Sequence, residues 1–280
     1  MPDRSKSQAP WVRRAVAGPL VLFALVALGS STAAAGQDAA MPQTFSHEPW
    51  TQVLQRYVDD QGMVDYRGLA DDREILDQYV KAVETYSPES HPNLFPTRQD
   101  ALAFYINAYN AQVFKGVLAR GPEEKSVWRG LVSGLEFFGR MKIVVGGRTT
   151  NLRNLENKDI REAFGEPRIH AALNCASIGC PRLPREAFLP EQLEEQLDAA
   201  MTEWVSSSYH VKVDDGARTV FLNKIFDWFK DDFLTYERSA GVRSPSLIGY
   251  VNRFRDSASQ IPADYKVKFL PYDKAVNKQP

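Results

Sequence analysis

Both cysteines of the chain, Cys175 and Cys180, lie in one short stretch that also contains His170, one of four histidines. A thiol nucleophile needs a neighbouring base to form the thiolate, and histidine commonly supplies that base. The same two thiols are separated by four residues that include Gly179, so they could instead form a small disulfide. The stretch from His170 to Pro181 is therefore the candidate functional site.

The two thiols can be interpreted in two ways. If the protein is an enzyme, Cys175 is the nucleophile and His170 the base of a thiol hydrolase or acyl transferase. Residues five apart point to opposite faces of a strand, so this pairing requires the strand to end or bulge before Cys175. If it is not an enzyme, we predict a structural disulfide between Cys175 and Cys180, which export to an oxidising compartment favours. The spacing of these three residues matches no zinc pattern, so neither a metal nor a cofactor is predicted.

Asparagine side chains inside an apolar helix form the second feature. Asn107 and Asn110 lie one turn apart on one face, although asparagine competes for backbone hydrogen bonds and suits helix interiors poorly. The alternatives are a buried amide network that satisfies a loop backbone, and amides that contact a ligand or orient His170. Asn174, which shares the predicted strand face of His170, and Lys224 complete the predicted ligand-binding set.

The N-terminus has the pattern of an export signal. Basic residues precede an apolar run from Ala15 to Leu28, and small residues follow it, with Ala33 and Ala35 fitting a cleavage site. The apolar run covers about 14 residues, fewer than the roughly 20 that span a bilayer. We therefore predict a signal peptide over residues 1–35, cleavage near Ala35, a periplasmic or secreted protein, and no stable membrane span after cleavage.

Composition limits the classes of function. The net charge is −1 and no long run of one sign occurs, so the basic surface of a nucleic-acid-binding protein is missing. Hydrophobic residues make up 44% of the chain, an ordinary share for a globular protein with a real core. We predict a flexible leader over 36–45, a single α+β domain over 46–280, and no nucleic-acid partner.

Hydrophobic periodicity predicts helices packed on a small, mainly antiparallel sheet. Thr97 and Asp100 form a capping-box pattern at the start of a long buried helix. Gly146-Gly147 lies between two short strand patterns and predicts a tight hairpin, and a second hairpin turns at 214–217. The apolar run from 168 to 175 predicts a buried strand that carries His170.

Three segments together resemble a known family: Phe104-Tyr-Ile-Asn-Ala-Tyr-Asn-Ala111, the stretch from His170 to Pro181, and Asn223-Lys-Ile-Phe-Asp-Trp-Phe-Lys-Asp-Asp-Phe233. They are similar to the family known as domain of unknown function 547, and the similarity covers about residues 50–234. That family has no established activity. The resemblance therefore implies a domain and its site segments, but no reaction.

A remoter similarity, to papain- and transglutaminase-like thiol enzymes, implies a cysteine at a helix N-terminus and a later histidine on a strand. The helix with Asn107 and Asn110 contains no cysteine, so on this mapping the domain is an inactive relative. We predict an exported domain whose cleft, between that helix and the segment from His170 to Cys180, binds a peptide or a cell-envelope component. Catalysis by Cys175 and His170 is the alternative.

Overall fold

The computed structural model describes residues 44–130, 132 and 134–280. Helices pack around two small sheets in one domain, which confirms the predicted α+β class. The predicted signal peptide and most of the predicted leader lie outside the described residues. None of the described helices has the length and apolar character that a membrane span requires.

Helices precede the first strand and lie between later strands along the chain. The helices are α1 (Glu48–Tyr57), α2 (Tyr66–Asp71), α3 (Glu74–Thr85), α4 (Arg98–Arg120), α5 (Leu152–Asn154), α6 (Leu193–Ser206), α7 (Ile225–Trp228), α8 (Lys230–Ser239) and α9 (Leu247–Asn252). The strands are β1 (Ile143–Val145), β2 (Arg148–Thr150), β3 (Val211–Asp214), β4 (Thr219–Leu222) and β5 (Lys266–Phe269). Two π-helical segments, Leu135–Arg140 and Leu155–Glu162, and short 3-10 turns, among them Pro167–Ala171, complete the described elements.

The long helix α4 begins where its capping box predicts. The Thr97 hydroxyl accepts a hydrogen bond from the Asp100 N–H at 3.0 Å, and the Asp100 carboxylate accepts one from the Thr97 N–H at 2.9 Å. Residues on every side of α4 are buried, because α1, α3 and the cysteine-containing region surround it. This helix is therefore the centre of the larger apolar cluster of the domain.

Both predicted hairpins are present. The first pairs Ile143 with Thr150 across Gly146-Gly147, and both glycines have the positive φ that a tight turn requires. The second pairs β3 with β4 in an antiparallel register. Strand β5 pairs with β4 in parallel. Parallel neighbours need a long crossover connection, and here α7, α8 and α9 lie in the connection between the two strands.

The predicted strand over 168–175 is wrong. Pro167–Ala171 forms a 3-10 turn, and the N–H groups of Ala172 and Leu173 donate back to the Ile169 carbonyl at 2.9 and 2.8 Å. A short apolar run fits a buried strand and a buried turn equally well, and among the described residues no neighbouring strand supplies ladder hydrogen bonds. His170 is nevertheless buried, as the pattern predicts.

The candidate site lies where two apolar clusters meet. The larger cluster surrounds α4 and includes Ala172, whereas the smaller one contains α8, α9 and the three-stranded sheet and includes Ala171. The chain thus passes from one cluster to the other immediately before Cys175. Side chains from both clusters can therefore converge on the cysteines.

Candidate functional site

Asparagine side chains fix the shape of the cysteine loop, residues 174–181. Asn110 Nδ2 donates to the Ala172 carbonyl at 3.0 Å, and its Oδ1 accepts the Asn174 N–H at 2.9 Å. Asn174 Oδ1 in turn accepts the Ala176 N–H at 2.9 Å. Ala176 has a φ of +56°, a left-handed conformation that is uncommon outside glycine. The hydrogen bonds of the two amides therefore stabilise a loop that contains an unfavourable backbone conformation at Ala176.

Asn107 binds a neighbouring loop in the same way. Its Nδ2 donates to the Phe188 carbonyl at 2.7 Å and its Oδ1 accepts the Phe188 N–H at 3.0 Å. Asn107 and Asn110 are both buried, and no hydrogen bond joins either amide to His170 among the described residues. The structure thus contains the buried amide network that was one of the two alternatives, and ligand contact by these amides stays a prediction.

Cys175 and Cys180 are free thiols, which corrects the predicted disulfide. The Tyr272 hydroxyl lies 3.0 Å from Cys175 Sγ and 3.1 Å from Cys180 Sγ, within hydrogen-bond distance of both. The Cys175 N–H also donates to Cys180 Sγ at 3.1 Å. These hydrogen bonds satisfy the sulfurs as separate thiols, and the loop is held by its asparagines without an S–S bond.

Tyr272 reaches the thiols because the C-terminal segment, residues 271–280, crosses the cysteine loop. The Gly179 N–H donates to the Asp273 carbonyl at 2.9 Å. A Cβ atom at Gly179 would lie 2.8 Å from the Tyr272 ring, so only glycine allows this close approach. The position of the tyrosine hydroxyl therefore depends on the glycine between the two cysteines.

The surroundings separate the pKa values of the two thiols. Burial raises the pKa of Cys175 well above its ordinary value, and the hydrogen bond with Cys180 raises it further. Burial also opposes ionisation of Cys180, but hydrogen bonds from Cys175, Tyr272 and backbone N–H groups outweigh it and lower the pKa of Cys180. Cys180 is therefore the thiol that ionises first, whereas the enzyme alternative assigned the nucleophile to Cys175.

His170 is held by a carboxylate and an aromatic ring. Its Nε2 lies 2.8 Å from Asp232 Oδ2, and its ring stacks on Phe229 with centroids 4.3 Å apart. Burial lowers the pKa of His170, although the hydrogen bond to Asp232 raises it in part. Asp232 is also paired with Arg161 and its pKa is lowered to about 2, despite its partial burial. The neutral imidazole therefore donates from Nε2, which leaves Nδ1 as a potential base.

These groups surround a cavity of about 90 Å³, which we call the thiol cavity. Its walls are mainly aromatic, and its polar groups are a carboxyl, an imidazole, two thiols and two phenolic hydroxyls. The lining residues are Tyr109, Trp128, Phe138, Glu156, His170, Leu173, Cys175, Cys180, Ile225, Trp228, Phe229 and Tyr272. The structure thus brings His170, Cys175 and Cys180 together at one cavity.

Glu156 supplies the carboxyl of the thiol cavity. It follows α5 in the second π-helical segment, and the Tyr109 hydroxyl donates to its Oε2 at 3.4 Å. Burial raises the pKa of Glu156 to about 7, although Arg161 lowers it in part. The first π-helical segment contributes Phe138 to the same cavity, and π-helical turns are frequent at functional sites.

Lys224 does not line the thiol cavity. Its Nζ pairs with Asp227 at 2.6 Å and lies 5.5 Å from the centroid of the Phe269 ring. Trp228 and Phe229, in the same quoted segment, line the cavity instead. Participation of Lys224 in ligand binding stays a prediction.

Sequence reasoning missed several lining residues. No sequence pattern marks Glu156, Trp128 or Tyr272 as a site residue. The residue type is the one sequence signal for Trp128 and Tyr272. A large aromatic side chain outside the apolar face of a predicted helix or strand has no predicted packing contact, and it is therefore a candidate for lining a site. Asp232 lies inside the third quoted segment, where its spacing gives no sign that it is the partner of His170.

The protein is thus an α+β domain with a thiol-containing aromatic cavity, and comparison with known proteins finds a match to one family model over part of the chain. Residues 94–205 match the model of the family described as "Protein of unknown function, DUF547". The match confirms the predicted resemblance, over a narrower range than the predicted 50–234. It includes α4, Glu156 and the cysteine loop, whereas Trp228 and Tyr272 lie beyond it. No curated protein and no solved structure matches the chain.

Proposed function

We propose that this protein is a ligand-binding domain whose site is the thiol cavity. The observation that carries the proposal is the convergence of free thiols, a half-buried carboxyl and an imidazole inside aromatic walls. Ligand sites are typically apolar cavities with a few convergent polar groups.

The size of the cavity limits what enters it. Pockets that enclose drug-sized ligands measure roughly 300–1,000 Å³, whereas the thiol cavity measures about 90 Å³. We therefore propose that only a small head group or side chain of the ligand enters, while the rest stays outside. A peptide or a cell-envelope component remains the proposed partner, bound through such a group. Trp228, which is 42% exposed, supplies part of the rim.

Ligand-observed NMR tests the proposal. Short peptides and soluble cell-envelope fragments would be screened against the native protein and against protein alkylated with iodoacetamide at the cysteines. Because the added group fills the cavity, we expect signals from at least one ligand that disappear after alkylation. Ligand signals that persist unchanged in the alkylated protein would place binding elsewhere and contradict the proposal.

Catalysis by a thiol is the second candidate, and one observation favours it. The contact between His170 and Asp232 orients an imidazole at the same cavity as both thiols, as a base and its orienting group would be arranged. We propose Cys180 and Cys175 in that order as nucleophiles, because the pKa of Cys180 is the lowered one. Incubation with p-nitrophenyl acetate, followed by intact mass measurement, tests this candidate. An acyl adduct that Cys180→Ser or Cys175→Ser removes, with continued turnover in the wild type, would favour it over binding alone.

Export is proposed on the sequence alone. The basic start, the short apolar run and the small residues before Ala35 support a cleaved signal. Intact mass of the protein recovered from the producing cells measures this directly. We expect a chain that begins near Gly36 outside the cytoplasm. A full-length chain retained inside would contradict export and leave the ligand-binding proposal unchanged.

A further inference from the structure

Resting on the proposed ligand-binding function, we propose that the thiol cavity binds a small methylated ammonium cation. Glu156 is its counter-ion, and the rings of Trp128, Trp228, Tyr109 and Tyr272 surround it. This names the chemical class of the group that enters the cavity. It depends on the charge of the cavity, on its aromatic walls and on its size.

Glu156 lacks a charge partner of its own. Among the described residues it forms no ion pair, and its hydrogen bond from the Tyr109 hydroxyl is long, at 3.4 Å. The other carboxylate near the cavity, Asp232, is already compensated by two hydrogen bonds from Arg161, at 2.8 and 2.9 Å, and by His170. Removing an unpaired carboxylate from water is unfavourable, so a cation in the cavity would stabilise the ionised form of Glu156.

Charged groups from each neighbouring element face Glu156. Arg161 and Arg153 come from its own helical region, Asp232 comes from α8, and the Tyr109 hydroxyl comes from α4. Arg161 and Asp232 neutralise each other, and burial keeps His170 neutral. Neither Arg153 nor Arg161 lines the cavity, and Glu156 is the one carboxyl among its lining residues. The cavity therefore favours a positive ligand.

The aromatic walls suit a cation without hydrogen-bond donors. The rings of Trp128, Trp228 and Tyr272 lie within 5.8 Å of one another, centroid to centroid. Lys274 Nζ already lies 5.5 Å from the Trp128 ring, and the Arg161 guanidinium lies 4.5 Å from the Phe229 ring. The faces of aromatic rings attract cations, and cages of such rings bind quaternary ammonium groups.

Size and hydrogen bonding select among cations. One water occupies about 30 Å³ in the liquid, so a cavity of about 90 Å³ holds about three waters, or a nitrogen with its methyl groups. A primary ammonium carries three N–H donors, for which the cavity offers few acceptors besides Glu156. A methylated ammonium needs none, because its charge is met by the carboxylate and the ring faces.

Protonation of Glu156 couples binding to pH. With a pKa of about 7, the carboxyl is largely neutral at pH 5 to 6 and charged at pH 8. A cation stabilises the charged form, so binding at mildly acidic pH releases a proton and is weaker. Affinity should therefore rise as the pH increases through about 7.

Choline and its neutral carbon isostere, 3,3-dimethylbutan-1-ol, form a matched pair of probes. Binding is measured by tryptophan fluorescence, because Trp128 and Trp228 line the cavity, and by calorimetry. We expect choline to bind about tenfold or more tightly than the isostere, since a cation–π and carboxylate contact distinguishes them. Glu156→Gln should reduce the affinity for choline toward that for the isostere, because only the contact with the aromatic rings remains, whereas Glu162→Gln, an exposed change in the same segment, should not.

Each result decides the inference. Equal affinities for the two probes would overturn the cation inference and leave the ligand-binding proposal intact, since the cavity would still be occupied. Absence of binding by both probes would also overturn the cation inference. The proposed ligand-binding function would then be tested separately by the NMR screen, in which ligand signals should disappear after alkylation. If choline binds, vesicles of phosphatidylcholine show whether the natural ligand is a lipid head group or a free cation. Vesicle binding that choline competes away indicates a lipid head group, and absence of vesicle binding indicates a free cation.

Discussion

Replacement of Glu156 by glutamine tests the account of the thiol cavity through stability alone, without a ligand. The substitution keeps the shape of the side chain and removes its ionisation. In the folded protein, burial raises the pKa of Glu156 to about 7 from an ordinary 4.5. The folded state therefore holds a proton that the unfolded chain has already lost between these two pH values. Stability consequently falls as the pH rises through this window and levels off above it.

The size of the effect follows from the same two pKa values. The interval from 4.5 to about 7 corresponds to about 3 kcal/mol at about 1.4 kcal/mol per pH unit. Water that reaches the partly exposed carboxyl reduces this figure, so we expect about 2–3 kcal/mol. The wild type should lose this free energy of unfolding, relative to Glu156→Gln, between pH 4.5 and pH 8.

Urea unfolding of both proteins at several pH values measures the difference. Other groups that titrate in this range, including His170, are common to both proteins and cancel in the comparison. Glu162→Gln serves as the control, because Glu162 is exposed in the same segment. A pH-independent difference between wild type and Glu156→Gln would refute the placement of an unpaired carboxyl in the cavity, and with it the electrostatic basis of cation binding.

Three further substitutions have defined outcomes. Asn107→Ala leaves the Phe188 N–H and carbonyl buried without partners and should cost about 2–4 kcal/mol in urea unfolding; a cost below about 1 kcal/mol would contradict the amide network. Tyr272→Phe removes a hydrogen bond that lowers the pKa of Cys180, so its titration, followed by thiolate absorbance, should move to higher pH. An unchanged titration would show that the hydroxyl does not stabilise the thiolate. Gly179→Ala places a methyl 2.8 Å from the Tyr272 ring and should destabilise the protein by about 1–3 kcal/mol, and near-neutral stability would mean that the C-terminal segment moves aside freely.

Several features of the site region could be predicted from the sequence because they depend on neighbours in the chain. The start of α4 depends on Thr97 and Asp100, which are three residues apart, and the first hairpin depends on Gly146-Gly147. The concentration of His170, Cys175 and Cys180 within a few residues also marked the right place. These features can be predicted because residues that are close in the chain are also close in space, whatever the rest of the fold.

Features that depend on distant contacts were predicted poorly. The apolar run that includes His170 predicted a strand, but it forms a 3-10 turn, because no other strand of the described residues pairs with it. The spacing of the two cysteines fitted a disulfide, whereas the structure has two free thiols. Tyr272, which lies within hydrogen-bond distance of both sulfurs, is 92 residues beyond Cys180. Spacing alone shows that two thiols can meet, but it does not show which third group meets them.

The sequence by itself determined the α+β class, the family resemblance and the segment that holds the thiols, since composition, periodicity and local spacing encode these. The tertiary structure decided the chemistry of the site. Glu156 has a raised pKa because residues from α4 and the cysteine loop remove it from water, and Asp232 has a lowered pKa because Arg161 and His170 reach it across the fold. Ionisation depends on the solvent and charges within a few ångströms, and only the folded chain specifies those.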